Sequence, residues 1–345
     1  MKKFDFVIGN PAYHAEAHGE SASDKPIYHL FINESYKVSK HVELITPARF
    51  LFNAGATPKD WNQKILSNPH VKVLFFERDP KKIFPNTSIT GGITITYFDE
   101  EKKFIPIGIF SVYSELNSIK EKVGSLSSHS FSEMVANRGL YRYSDTAFNE
   151  QPEEMKKTAD RRIAPSCFER MPSLFTDKKP DDNHKYIKIY GSLNGNRVYK
   201  WFRKDYVEDV DNLGKYKVMM PKANGASGMI CDEPARIISK PEIGEPQTGF
   251  TETFIAIGNT DSKQEAEAIL KYTKSKFART MLGIMKVTQN NAKPTWEKVP
   301  MQDFTLSSDI DWSKSIHEID EQLYKKYKLS KEEIDFIESH VKEME

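Results

Sequence analysis

The sequence predicts an α/β fold that continues into a mixed α+β part and a C-terminal helical hairpin. Strand and helix patterns alternate over residues 4–98, short apolar stretches between turn residues follow over 186–257, and apolar positions recur at helical spacing over 316–344. At 345 residues the chain has the length of two domains. We expect divisions that give segments 1–123, 124–303 and 304–345, the last an acidic helical tail.

The first predicted strand ends in a turn whose residues could bind a ligand. The apolar run Phe4–Ile8 predicts a buried strand, and Gly9-Asn10-Pro11 ends it with residues that suit a tight turn. Open α/β sheets bind ligands at the carboxyl ends of their strands. Asn10 and Pro11 offer carbonyl acceptors and Tyr13 an aromatic face, so the turn suits a planar base that bears an amino group. The alternative is an ordinary turn without a ligand.

The next elements are, in chain order, a helix over 27–38, a strand over 42–47, a helix from the cap at Thr57 through Leu66, and strands over 71–77 and 93–98. A helix that connects two parallel strands returns the chain to the same end of the sheet. The Asn10 turn and the turn that contains Arg49 are therefore predicted at one sheet edge.

The segment from Phe4 to Phe98 resembles the second half of the catalytic domain of gamma-group adenine-specific DNA methyltransferases, especially the Eco57I-type restriction-modification methylases. Their signature, Asn/Asp-Pro-Pro-Tyr/Phe/Trp after an apolar strand, matches Asn10-Pro11-Ala12-Tyr13 except for Ala12, which removes none of the acceptors. The resemblance implies a Rossmann-like half-sheet, S-adenosylmethionine as methyl donor, double-stranded DNA as substrate and flipping of the target adenine. It also implies catalytic roles for Asn10, Pro11 and Tyr13 and contact of the extruded base with Phe84, for which a core phenylalanine is the alternative.

The cofactor site of this family needs a Gly-rich turn after its first strand and an acidic residue that ends its second. Nothing before Phe4 provides them, and the later cluster Gly191–Gly195 lacks the strand and helix context. We therefore expect a C-terminal part with an incomplete cofactor site that is inactive alone. The expected partners besides DNA are a missing N-terminal half, a partner subunit or a nuclease. The alternatives are a DNA-binding specificity module without catalysis and, less favoured by the long basic segment, a protein-glutamine methyltransferase.

The net charge of +1 conceals a division of charge along the chain. Residues 178–240 carry 13 Lys and Arg against 8 Asp and Glu, residues 271–298 carry 7 against 1, and residues 303–345 carry 6 against 12. Basic middle segments suit contacts with DNA phosphates, although a solvated surface is the alternative. The run from Lys286 to Lys293 is rich in side chains that can read base edges. The predicted DNA-binding residues are Arg49, Lys188, Arg197, Lys222, Asn224, Lys286, Gln289, Asn290, Asn291 and Lys293.

Several classes of protein and site are disfavoured. Cys167 and Cys231 lack the spacing of a zinc site or a disulfide framework, and we expect no metal. No apolar run has the roughly 20 residues of a membrane helix, and the start lacks a signal-peptide core. We expect a cytoplasmic protein with no membrane partner.

Overall fold

The structure is a computed structural model that describes residues 2–15, 25–52, 56–85, 89, 91–224, 230, 233–286 and 290–344. These residues form ten α-helices and twelve β-strands in two compact units, 1–117 and 118–345. The α/β class is confirmed, whereas the Rossmann-like arrangement and the three-segment division stay predictions. No helix in the described ranges is both long and apolar enough to cross a membrane.

Unit 1 contains six strands and two complete helices, and a third helix crosses the division. In chain order they are β1 (Phe4–Gly9), β2 (His14–Ala15), β3 (Lys25–Pro26), α1 (Tyr28–Val38), β4 (Ser39–Pro47), α2 (Lys59–Leu66), β5 (Val71–Glu77), β6 (Ile93–Asp99) and α3 (Ser114–Leu126). Each helix and strand predicted over residues 4–98 is confirmed to within a few residues.

The four longer strands form one sheet in the order β1-β4-β6-β5. β1 and β4 are parallel, with Gly9 opposite Leu44, and α1 connects them. β6 is antiparallel to both β4 and β5. The predicted parallel pair with a helical crossover is therefore confirmed.

The core of unit 1 lies on one face of this sheet. Val42 and Leu44 of β4 alternate with less buried neighbours and pack with Ile32 of α1 and with Trp61 and Ile65 of α2. This alternation is what a sheet with one covered face requires.

The prediction that β1 is a buried strand was wrong. Phe4, Phe6 and Ile8 are 57%, 64% and 76% exposed, while Val7 packs against the core. The reason is that the core covers only one face of this sheet: Val7 faces the core, whereas Phe4, Phe6 and Ile8 alternate with it on the other face.

Unit 2 contains two three-stranded sheets, β11-β7-β8 and β10-β9-β12. Its further elements are α4 (Asp145–Glu150), α5 (Pro152–Met155), α6 (Cys167–Arg170), β7 (Tyr186–Leu193), β8 (Asn196–Arg203), β9 (Tyr216–Pro221), β10 (Glu242–Gly244), β11 (Thr248–Phe250), β12 (Phe254–Thr260), α7 (Lys263–Lys274), α8 (Lys276–Met285), α9 (Ile316–Lys326) and α10 (Lys331–His340). The irregular β-rich character predicted for this part is confirmed.

The helices of unit 2 are set by serine caps. The Ser262 hydroxyl accepts a hydrogen bond from the Glu265 amide, and α7 begins directly after this residue. Ser275 has an extended backbone and caps α8, so α7 and α8 are two separate helices.

The acidic C-terminal segment packs within unit 2. Asp320 of α9 accepts the main-chain amides of Lys276 and Phe277, each at 2.9 Å, at the start of α8. Glu333 of α10 accepts bonds from the hydroxyl of Ser118 and the Nζ of Lys122.

Candidate active site at the sheet edge

The carboxyl ends of three strands meet at one edge of the unit 1 sheet. Gly9 pairs with Leu44 near the end of β4, and Pro47 and Glu77 both pair with Ile93 at the start of β6. The turn after β1, the segment after β4 and the loop after β5 therefore all emerge at this edge. It is the end of an α/β sheet at which ligands commonly bind.

The Asn10 turn leaves its acceptors available. The Asn10 side chain is exposed, and neither it nor the Pro11 carbonyl makes a hydrogen bond to any residue in the described ranges. The turn is fixed on its far side, because the Tyr13 carbonyl accepts the Ile27 amide at 2.9 Å just before α1. A held backbone with free acceptors is the geometry that binding an amino group requires.

Tyr13 is half-buried and packs against the unit 1 core. Its hydroxyl is buried without a hydrogen-bond partner among the described residues, and burial raises the pKa of the phenol. A stacking role would therefore use the face of the ring rather than the hydroxyl group.

Arg49 lies at the same edge, in a short 3-10 helix directly after β4. A methyl group placed on Gly91 would lie 2.4 Å from the Arg49 Cγ, so the arginine stem runs across this glycine, whose φ is +91°. Burial raises the pKa of the Tyr28 hydroxyl, while a side-chain hydrogen bond with Thr57 and the charge of Arg49 oppose this shift. The contact with Gly91 was not predicted, although the Gly91-Gly92 pair marks a site of close backbone approach.

Phe84 is half-buried in the loop that follows β5, and its amide donates to the Pro80 carbonyl at 2.8 Å. Two strands separate β5 from β1, which corresponds to roughly 14 Å between the strand axes. Phe84 thus shares the edge with Asn10, and the loop must extend across the sheet for both to contact one base.

The pairs Asn194-Gly195 and Gly91-Gly92 do not provide the cofactor turn that the family resemblance implies. Asn194 and Gly195 have φ values of 51° and 78° and join β7 to the antiparallel β8, while Gly91 and Gly92 precede β6. Neither pair joins a strand to a following helix, so these residues do not fit that site. In the part of the chain that the structure describes, no group of three or more His, Cys, Asp or Glu could hold a metal.

The other residues predicted to contact DNA lie in unit 2. Lys188 is exposed on β7, opposite Trp201 of β8, with its Nζ 5.5 Å from the centre of the indole ring. Arg197 of β8 donates to the Lys240 carbonyl at 3.1 Å and to the Glu242 carboxylate at 3.0 Å. Lys188 is the freer of these two cations.

Three of the side chains predicted to contact DNA are buried and hydrogen-bonded to other residues of unit 2. The Lys286 Nζ bonds Asn224 Oδ1 and the Ile237 carbonyl, and burial lowers the pKa of Lys286 to about 8. Asn224 donates to the same carbonyl at 2.8 Å, and Asn291 donates to the Pro221 carbonyl at 3.0 Å. These side chains hold main-chain segments together and are not at the surface in this structure.

The remaining residues predicted to contact DNA are more accessible to solvent. Asn290 is exposed, and Lys222 and Lys293 are half-buried. Gln289 and Cys231 lie outside the described residues.

Comparison with known proteins adds to this geometry. Residues 1–84 match the Eco57I restriction-modification methylase family. An uncharacterized adenine-specific methylase of Mycoplasma pneumoniae is 31% identical over 98 residues, which cover 27% of this chain and 23% of that relative. The chain thus matches less than a quarter of the length of this curated relative.

Both matches support an adenine methyltransferase family. A methylase family of this kind implies S-adenosylmethionine as methyl donor and DNA as substrate in general terms.

Proposed function

We propose that this chain carries the target-base site and the DNA-recognition part of a site-specific DNA adenine-N6 methyltransferase of a restriction-modification system. The observation that carries the proposal is the Asn10 turn. Its two free acceptors follow a strand end, on a sheet edge shared with Arg49 and the Phe84 loop, inside the segment that matches the methylase family.

Adenine in a duplex is inaccessible, so the base must first be flipped out of the stack, which costs a few kcal/mol. Stacking on the rings of Tyr13 and Phe84, at roughly 1 to 3 kcal/mol for each base–ring contact, partly offsets this cost. Asn10 is exposed just after the carboxyl end of β1, so the flipped base can reach it.

Asn10 Oδ1 and the Pro11 carbonyl then accept the two hydrogen bonds of the adenine amino group. These bonds increase electron density at the amino nitrogen, so it would attack the methyl group of a bound donor without a side chain first removing a proton. The donor sulfur would keep the electron pair of the broken S–CH3 bond, and the extra proton on nitrogen would then pass to solvent. S-adenosylmethionine supplies that methyl group when it is bound. Positioning and fixed dipoles account for the contribution of this turn.

The glycine pairs tested above do not account for a cofactor site. Because neither Gly91-Gly92 nor Asn194-Gly195 fits such a site, we propose that another polypeptide holds S-adenosylmethionine, as a missing half or a partner subunit. The exposed Phe4, Phe6 and Ile8 on an edge strand support such an association, since apolar edges favour pairing with another chain. A specificity module without catalysis is a second candidate, favoured by the same lack of fit.

The test is Asn10→Ala in the methylating holoenzyme, with Asn10→Asp as the matched control because aspartate keeps a side-chain acceptor. We expect Asn10→Ala to bind duplex DNA as the wild type does and to lose methyl transfer at least a hundredfold, consistent with loss of one preorganised contact. Asn10→Asp should keep measurable transfer. Gel shift and radiolabelled methyl transfer measure the two properties, and full activity of Asn10→Ala would remove Asn10 from the mechanism.

The same assay separates the alternatives. Transfer of label to protein rather than to DNA would favour the glutamine methyltransferase. DNA binding without transfer under any combination of subunits would favour the specificity module.

A further inference from the structure

Unit 2 contains a cation cluster that is built around one buried carboxylate. Glu252 is 7% exposed, and its Oε1 accepts Arg138 Nε at 2.9 Å and Arg162 Nη1 at 3.0 Å. The side chains of these arginines are 61% and 36% exposed. The buried carboxylate therefore fixes two guanidinium groups while leaving part of each accessible.

The approach of these groups depends on Gly139. A methyl group at this position would lie 2.5 Å from Arg162 Cδ and 3.3 Å from Glu252 Oε1. The φ of Gly139 is +72°, which disfavours other residues. The backbone at Gly139 thus makes room for the Arg162–Glu252 pair.

Lys222 adds a third cation to the cluster. Its amide donates to the Thr253 carbonyl at 2.9 Å, directly after Glu252, and its Nζ makes no hydrogen bond or ion pair within the described ranges. Burial and then the charge of Arg138 lower the pKa of Lys222. Asp160 pairs with Arg162, so three cations share two carboxylates and the group retains an excess positive charge.

The cluster is tied to the segment that carries Asn290. The Asn291 amide donates to the Lys222 carbonyl at 2.7 Å, and Ala223 forms an antiparallel bridge with Asn290. An exposed amide side chain is therefore held next to a cation without its own carboxylate. In protein–DNA interfaces phosphate contacts fix the register in which other side chains meet the bases.

We propose that Arg138, Arg162 and Lys222 bind a single DNA backbone phosphate and so position the segment at Asn290 against the bases. This inference deepens the proposed function, on whose DNA-binding part it rests. Arginine supplies several donors in a fixed plane and lysine a point charge, a combination suited to phosphate oxygens. Neither Arg138 nor Arg162 is distinguished by its sequence context, because both meet Glu252 only in the fold.

The experiment measures duplex DNA affinity of the full chain between 50 and 200 mM salt, for Lys222→Ala and Arg138→Ala. Lys222→Ala breaks no side-chain hydrogen bond seen among the described residues, so it keeps the test valid if Arg138→Ala folds poorly. Lys325→Ala is the matched control, because this exposed lysine of α9 carries the same charge away from the cluster. Arg138→Lys keeps the positive charge but removes the planar guanidinium group, so it tests whether the charge alone is sufficient.

We expect Lys222→Ala and Arg138→Ala each to weaken binding equally for all DNA sequences and to reduce the salt slope by part of the value for one phosphate, and the double variant to reduce it by up to about 1. For the double variant the ratio of affinities at the two salt concentrations should then shrink by up to about 3.5-fold. Lys325→Ala should retain the wild-type slope, and Arg138→Lys should retain most of it.

Two results would overturn the inference in distinguishable ways. If the wild type binds DNA with a steep salt slope and both alanine variants match it, the phosphate site is wrong while the proposed function stands. If the wild-type chain binds no duplex DNA at 50 mM salt, the DNA-binding part of the proposed function fails and this site fails with it.

Discussion

Replacement of the exposed apolar side chains of β1 distinguishes an interaction edge from a buried strand. We consider Phe6→Thr combined with Ile8→Thr, because threonine keeps the β preference while removing apolar surface. Full burial of such a side chain contributes roughly 1.5 to 3 kcal/mol. Phe6 and Ile8 are 64% and 76% exposed, so the pair should contribute only about 0.9 to 1.8 kcal/mol to the free energy of unfolding.

Two measurements check this prediction. Hydrogen-exchange mass spectrometry of β4 reports on the stability of unit 1, and sedimentation velocity reports on self-association. We expect a stability loss below about 2 kcal/mol and a clear reduction of dimers or aggregates, because the apolar edge no longer favours pairing. Leu306→Thr, at a side chain 94% exposed in unit 2, should change neither.

A loss of about 4 kcal/mol or more would show that β1 is buried and refute the exposed edge. If self-association and the stability of unit 1 were both unchanged, Phe6 and Ile8 would not form the surface through which the chain associates.

Two further substitutions test the packing of each unit. Gly91→Ala should destabilise unit 1 by roughly 1 to 3 kcal/mol and displace Arg49, because φ is +91° and the new methyl group would meet Arg49 Cγ. Gly124→Ala is the control, because Gly124 lies in α3 with open space around it. Thermal unfolding should show this control to be neutral or stabilising by up to about 1 kcal/mol. Burial raises the pKa of Asp320 to about 6 despite its two amide bonds, so the folded state holds this proton more tightly than the unfolded state. Stability should therefore fall by up to about 3 kcal/mol as the pH rises from about 4 to 6, and Asp320→Asn should lose that part of the pH dependence in urea unfolding.

Local signals were sufficient for the secondary structure of unit 1. The strand Val71–Glu77 was predicted and confirmed, because periodicity depends on residues a few positions apart. The exposure of Phe4, Phe6 and Ile8 does not follow from the local pattern, since it depends on which face of the sheet the core covers.

The DNA-contact residues show a different limit. The composition of the run from Lys286 to Lys293 favours base reading, yet Lys286 and Asn291 are buried because their partners, Asn224 and Pro221, come from more than sixty residues earlier. Arg138 and Glu252, 114 residues apart, meet only in the fold. Amide and basic side chains can hydrogen-bond within the fold as well as to DNA bases. The burial of each side chain must therefore be known before one of these roles can be assigned to it.

The two candidate sites depend on different physical terms, and this makes their roles separable. The Asn10 turn acts through two short-range acceptors on a neutral amino group, so its contribution should change little with salt. The cluster at Glu252 acts through counterion release, so its contribution should fall steeply with salt and be nearly independent of sequence. A variant of the first site should bind without methylating, and a variant of the second should regain methylation at low salt or high DNA concentration. If low salt instead restored Asn10→Ala, the turn would be acting on DNA affinity and its assignment to the target base would fail.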